Sequence, residues 1–339
     1  MQQTAFRTEI NGVALNWRGW CFVLCICLSC FTSLAAQNTA WRRELRFAVR
    51  SNDVARVAAV LSSNSLPPGI TLDDNSVTPL HLASLVGSCD VVSWLLGKGA
   101  PVDAATTEQG HTPLIIAAGR GQVEAAKLLL EHSAKIDQKD SAGLTPLMWA
   151  IRQDQTAMAD YLIRRGADIN ANANLGRNAL MFAAERGSVP LVTELIAKGA
   201  NLNHTNGVGN DALIEAAEAG HADVVRVLIQ KGGSTNRQNS EGWTGLMKAA
   251  ALGHLETVKA LCEAGADQSK TNKLGRTAMD YAKGIPGTSE LKTSDDLDKA
   301  LENKVFNSEE LYYVMARKRP GIDYEGIVKL LADHSRRLK

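Results

Sequence analysis

Large rings are scarce in this sequence. Aromatic residues are 5% of 339, so a core has to come from the aliphatic and alanine share of a 45% apolar content. An excess of charge is missing too. The formal net charge is +1, and without residues 1–36, which hold Arg7, Arg18 and Glu9, 35 basic residues face 35 acidic ones. A neutral chain has no counterion-release footprint for a phosphate backbone, so nucleic acid is not an expected partner. Cysteine is sparse outside one stretch: Cys21, Cys25, Cys27 and Cys30 crowd an N-terminal apolar run, leaving Cys89 and Cys262. No His-Glu-x-x-His, P-loop or Gly-x-Ser-x-Gly pattern occurs, and no Cys-x-x-Cys outside that run. No catalytic, cofactor-binding or metal-ligating residue can be assigned, and the expectation is a protein without enzymatic activity or cofactor.

What is present is a period. The stretch His111 to Leu130 recurs in altered form, and its opening triplet stands at Thr78-Pro79-Leu80, Thr112-Pro113-Leu114, Thr145-Pro146-Leu147, Asn178-Ala179-Leu180, Asp211-Ala212-Leu213, Thr244-Gly245-Leu246 and Thr277-Ala278-Met279. The first interval is 34 residues and the next five are 33. A fixed period of this size means a stacked array rather than one globular core. Thr, Asn or Asp caps a helix start, and proline at the first helical position loses no needed donor. Paired alanines such as Ala117-Ala118 and Ala216-Ala217 allow close helix approach. Gly121, Gly187, Gly220 and Gly253 supply the left-handed residue between two short helices, and Asp154 takes that place once. No unit covers its own apolar face, so each is stable only against neighbours.

Thr78-Pro79-Leu80-His81-Leu82-Ala83 and the loops Gly166-Ala167-Asp168-Ile169-Asn170 and Gly199-Ala200-Asn201-Leu202-Asn203 resemble the signatures of the ankyrin repeat family. The resemblance covers about Asn75 to Lys283. It implies an all-α solenoid of helix–turn–helix units joined by β-hairpin-like loops, whose usual task is binding another protein.

Around the array (residues 75–285), residues 41–66 read as a degenerate capping helix pair, with Leu45, Ala48, Val57 and Leu61 in register and extra arginines suited to a solvated outer face. Pro67-Pro68-Gly69 then predicts a surface loop. Residues 286–339 read as a C-terminal helical cap: Asp295 to Glu302 as the delayed second helix of the last unit, a helix from Ser308 to about Lys318, and a final amphipathic helix from Asp323 with Ile327, Leu330 and Leu331 on one face. A rival use of that end is docking, since Met315 to Lys339 holds seven basic and three acidic residues. Cys89 and Cys262 fall five units apart, too far for a disulfide, and read as small buried hydrophobes. His221 and His254 share the register after the turn glycine, where a structural role with local hydrogen bonding is expected.

Residues 1–36 read as a secretory signal peptide: Arg18, the apolar run Trp20 to Phe31, then Ser33-Leu34-Ala35 and Ala36. Gly19 to Ala40 carries no charge, so a retained signal anchor is the alternative, favoured by Arg42-Arg43. The expected location is therefore exported (periplasmic, secreted or lumenal), or single-pass membrane-anchored, with membrane contact only if the segment stays uncleaved.

The resemblance also implies that the residue two after the signature leucine faces the concave groove. That row is Leu82, Ile116, Trp149, Phe182, Glu215, Lys248 and Tyr281, with Arg120, Arg152 and Arg186 at neighbouring turns and Glu185 and Glu218 beside them. Ile116, Trp149 and Phe182 are consecutive, so they form an apolar strip across units two to four. Aromatic residues with arginine nearby suit an interface centre. The candidate partner-binding residues are Ile116, Arg120, Trp149, Arg152, Phe182, Arg186, Glu215 and Lys248; the alternative for Trp149 and Phe182 is packing between helices. The two functional expectations are a monomeric protein-binding module acting after export or at a membrane surface, and a membrane-anchored scaffold of the cell envelope.

Overall fold

The structure, a computed structural model, describes residues 40–284 and 322–337. The targeting segment 1–36 and the helices expected at Asp295–Glu302 and Ser308–Lys318 lie outside the described residues.

Helices come in pairs: α1 (Ala40–Arg50) and α2 (Val54–Ser63), α3 (Pro79–Val86) and α4 (Cys89–Gly97), α5 (Pro113–Arg120) and α6 (Val123–Glu131), α7 (Pro146–Arg152) and α8 (Thr156–Arg164). There follow α9 (Ala179–Arg186) and α10 (Val189–Ala197), α11 (Ala212–Ala219) and α12 (Ala222–Gln230), α13 (Gly245–Leu252) and α14 (Leu255–Glu263), and α15 (Ala278–Lys283). First helices pack on first helices and second on second, giving two layers with one continuous apolar core between and within them. The local reason is the cap. Thr78, Thr112, Thr145, Asn178, Asp211, Thr244 and Thr277 each accept a hydrogen bond from the backbone N–H of the third helical residue. Such a cap is worth about 1 kcal/mol, and it starts each first helix from α3 to α15 at the same register. Leu147, Met148, Ala150 and Ile151 of α7 are then all 0% exposed. Truncating a leucine so placed costs about 2–5 kcal/mol.

Two ladders fix one unit on the next. At the hairpin tips, backbone N–H groups donate to the preceding tip: Ser141 to Gln109 O (2.9 Å), Asn174 to Ala142 O (3.0 Å), Gly207 to Leu175 O (2.7 Å), Ser240 to Val208 O (2.9 Å) and Lys273 to Glu241 O (3.0 Å). At the helix turns, the residue after each turn lies on the turn of the unit before. His221 Nε2 reaches Glu185 O at 2.9 Å and His254 Nε2 reaches Glu218 O at 3.0 Å. These histidines are structural, but their bonds cross between units rather than being local. Gly187 sits directly under the His221 ring, where a Cβ would lie 2.5 Å from Nδ1. Asp154, in the same place one unit earlier, holds φ at 57°.

The ends depart from the sequence reading. The loop after α2 is not merely superficial: Leu72 is 1% exposed, and Arg46 of α1 donates to its carbonyl at 2.7 Å, so one of the cap arginines faces inward. The final helix α16 (Tyr324–Arg337) packs on α15 and α14, the two helices that a second helix of the last unit must touch. Ile322 lies over Gly253 as His254 lies over Gly220. Tyr324–Arg337 thus packs where a second helix of the last unit would lie, with Ile327 and Leu331 fully buried, Leu330 partly so, and Tyr324 Oη donating to Ala251 O at 2.9 Å. Cys262 is buried, and burial pushes its thiol up to about 11, whereas Cys89 is only half-buried.

Candidate functional site

The inner row is set by one helical position repeated in every first helix. Each member has its hairpin directly above it, and the first hairpin residue, an Asp or Asn in most units, folds that loop by accepting two backbone N–H groups. Asp140 Oδ1 takes Ala142 N–H (2.9 Å) and Leu144 N–H (2.8 Å), and Asn206 Oδ1 takes Val208 N–H (3.1 Å) and Asn210 N–H (3.0 Å). The other side-chain atom is left to meet the inner row. Trp149 Nε1 donates to Asp140 Oδ2 at 2.8 Å, Asn206 Nδ2 donates to Glu215 Oε1 at 3.0 Å, and Asn272 Nδ2 donates to Tyr281 Oη at 2.6 Å. A donor-only indole stands under a carboxylate, and acceptors stand under amides. Where the row residue is Phe182, the hairpin position is Ala173, and neither has a polar atom to satisfy.

This pairing divides the predicted residues. Ile116 and Trp149 are half-buried and reach the surface, as do Arg120, Arg152 and Arg186. Phe182 is 4% exposed and Lys248 2%, so neither offers a contact area of its own. The expected three-residue apolar strip is an open pair, with Phe182 packed beneath two guanidinium groups: Arg177 at 4.3 Å and Arg152 at 5.9 Å from the ring centroid. Arg152 also lies 5.3 Å from the Trp149 ring, and His111 meets that indole edge-on at 5.1 Å. Lys248 pairs with Glu218 at 3.3 Å and lies over Trp243, which is itself stacked on Tyr281 at 4.4 Å.

Between these halves sits a charge cluster. Arg177 pairs with Glu185 and, at 3.3 Å, with Glu215. Burial pulls the Arg177 guanidinium down, but Glu215 and Glu185 more than offset it and hold it above its ordinary value. Burial drives the Glu215 carboxyl up to about 6 against the pull of Arg177, with Glu218 and Glu185 adding to the rise. Among the described residues no group of His, Cys, Asp or Glu side chains is placed to hold a metal ion.

Sequence reasoning missed Arg177 and the hairpin tips. Leu175 is 70% exposed, Val208 49% and Leu274 40%, each just before the hairpin glycine. Leu175 also holds φ at 64°, a left-handed conformation that L-residues with a bulky side chain avoid. The signal was an aliphatic residue where neighbouring units carry Gln109 or Glu241.

Comparison with known proteins agrees with this architecture. The model of the ankyrin repeats (three copies) matches residues 80–173, 170–239 and 228–285. A Drosophila melanogaster transient receptor potential cation channel, subfamily A member 1, is 39% identical over 70 residues, 21% of this chain and 6% of that protein. The E3 ubiquitin-protein ligase XB3 of Oryza sativa subsp. japonica is 36% identical over 95 residues, 28% of this chain and 21% of its own length. This chain therefore spans only a small part of these relatives. Among solved structures, the ankyrin repeat domain of Bcl-3 superposes with a TM-score of 0.54 at 28% identity, covering 61% of this chain and 93% of that one. The human ASB11 ankyrin repeat domain superposes with 0.56 at 24% identity, covering 72% and 100%. The chain belongs to the ankyrin repeat family, whose repeats are generally protein–protein interaction modules and typically non-enzymatic scaffolds.

Proposed function

We propose that the protein holds a protein partner on the inner face of units two to five, as a monomer, without catalysis, and acts after export or at a membrane surface. The observation that supports this most is the fixing of Trp149. Its indole is only partly buried yet held on three sides, by Asp140, His111 and Arg152. A large ring already immobilised loses little freedom on binding, so its contact area converts more fully into affinity. Ile116, Arg120, Arg152 and Arg186 border it, with Phe182, Glu215 and Lys248 as the packed and charged layer beneath.

Export rests on the sequence of residues 1–36. No helix among the described residues is long and apolar enough to cross a membrane. The alternative, a membrane-anchored envelope scaffold, keeps that segment. N-terminal sequencing of the native protein separates the two: a start near Ala36 or Gln37 means export with cleavage, and retention of Trp20 to Phe31 means anchoring.

The binding face is tested by placing a photo-crosslinking residue at Ile116 on the inner face or at Lys127, which is exposed on α6 of the outer layer. The expected result is a partner trapped from 116 and absent from 127. Trapping from 127 alone would remove the inner-face reading.

A further inference from the structure

The neutral balance of the chain hides a sorting by layer. The first helices of the five N-terminal pairs, α1, α3, α5, α7 and α9, carry seven arginines, no lysine and two acidic residues. Their partners in the outer layer, α2, α4, α6, α8 and α10, carry three basic and five acidic residues. In the C-terminal half the asymmetry is gone: α11, α13 and α15 hold Glu215, Glu218 and Asp280 against Lys248 and Lys283. A basic residue in the last turn suits the helix dipole, which accounts for the position of Arg50, Arg120, Arg152 and Arg186. It accounts neither for the absence of lysine from these inner helices nor for the lack of a matching basic excess in the outer layer or the C-terminal half, where α11 and α13 end without a basic residue.

The local chemistry points the same way. Arg152 is gathered near Arg177 and Arg186, with Glu185 and Asp140 opposing; burial first and then these like charges leave its guanidinium below its ordinary value. Glu185 and Glu215 are engaged by Arg177, and Asp140 by Trp149 and its own loop. Asp154 stands exposed at the neighbouring turn and is the countercharge nearest in sequence. Guanidinium is a planar fork matched to carboxylate, and ammonium is not, which is the reason to use arginine throughout.

Resting on the inner-face reading above, we infer that the partner presents an acidic polypeptide segment, laid across Arg120, Arg152 and Arg186 beside Trp149, with an apolar residue against Ile116. Neighbouring helices lie roughly 8–10 Å apart and an extended chain advances about 3.3 Å per residue. One unit therefore matches about three residues, and carboxylates at every third position meet one arginine per unit. A protein segment is favoured over nucleic acid because the basic row alternates with Ile116 and Trp149 and is backed by an outer layer with more acidic than basic residues, while the chain as a whole is close to neutral.

The test is fluorescence anisotropy on the full-length chain, with a labelled peptide of roughly a dozen residues carrying glutamate at every third position and leucine and serine between. Its glutamine analogue and a single-stranded oligonucleotide serve as comparisons. The glutamate peptide should bind tightest and weaken with salt, and the Arg120→Glu/Arg186→Glu double variant should lose at least about tenfold. That variant leaves Arg152 on its aromatic rings, and its melting by circular dichroism reports whether it is folded. Lys127→Glu on the outer layer should bind as wild type. No binding of the glutamate peptide, equal affinity for the folded double variant, or tighter binding of the glutamine peptide or the oligonucleotide overturns the inference. Crosslinking from position 116 keeps the two readings apart. A partner trapped equally by wild type and the double variant removes the acidic-segment inference and leaves the inner face standing, whereas absence of a crosslink from 116 removes the inner face itself.

Discussion

Trp149 donates its indole N–H to Asp140 Oδ2 at 2.8 Å, nine residues back along the chain, and so ties the inner face of a helix to the loop above it. The same spacing joins Asn206 to Glu215 and Asn272 to Tyr281, with donor and acceptor exchanged. In these three units loop and groove residues are therefore matched to one another.

Exchanging the loop residue alone should break that match. Asp140→Asn turns an amide N–H toward an indole N–H, leaving a buried donor unmet at about 1–3 kcal/mol. Adding Trp149→Phe should recover part of the loss, which denaturant melts of the four-member cycle would measure. Strictly additive effects would mean that the pair is not coupled.

Two buried groups should pull acid stability in opposite directions. Burial holds His81 down at about 4 against an ordinary 6.5, so it stays neutral while the unfolded chain charges. Its contribution is complete above pH 6.5 and is lost as pH falls toward 4, about 3 kcal/mol over the range. Glu215 has its folded value raised to about 6 from 4.5, so the folded state binds the extra proton between those values and gains about 2 kcal/mol as pH falls through them. In Glu215→Gln that gain is absent, and the melting temperature should fall more steeply between pH 6 and 4.5 than in wild type. A parallel fall would show that Glu215 carries no such shift.

Two glycines with left-handed backbones separate strain from collision. Gly265, at φ 77°, has open space where a Cβ would go, whereas at Gly187, φ 75°, that Cβ meets the His221 ring. Gly265→Ala should cost about 1 kcal/mol, the conformational term alone. Gly187→Ala should cost clearly more, because the His221 bond to Glu185 O has to shift as well. Equal thermal shifts would argue against a tight inter-unit seat.

Leu175 combines an unfavourable φ of 64° with 70% exposure, so its side chain repays little of its strain by packing. Leu175→Asn, which tolerates this conformation, should stabilise the array by about 0.5–1 kcal/mol. A destabilised variant would mean that Leu175 packs more than its exposure indicates.

The fold was legible because the sequence writes one instruction many times. A capping residue every 33 or 34 positions, paired alanines, a turn glycine and an apolar pair each act within a few residues, and repetition turns local signals into an array. Ile116, Trp149, Arg120, Arg152 and Arg186 were put forward as groove residues by that register together with the geometry the family resemblance implies, with packing as the alternative for Trp149. Phe182 was left open between groove and packing, and the burial of Lys248 was not legible, because both depend on Arg177, Trp243 and Glu218 reaching across from neighbouring elements. The cross-unit bonds of His221 and His254 were hidden for the same reason. So was the completion of the last unit by Tyr324–Arg337, which is far along the chain from the α15 helix it covers. The sequence by itself determined the period, the caps and the order of helices, since these are settled by hydrogen bonds and backbone preferences between near neighbours. Only the tertiary structure decided which inner-row side chains meet solvent, because exposure at a given register is set by the neighbouring unit's side chains, and those are not repeated.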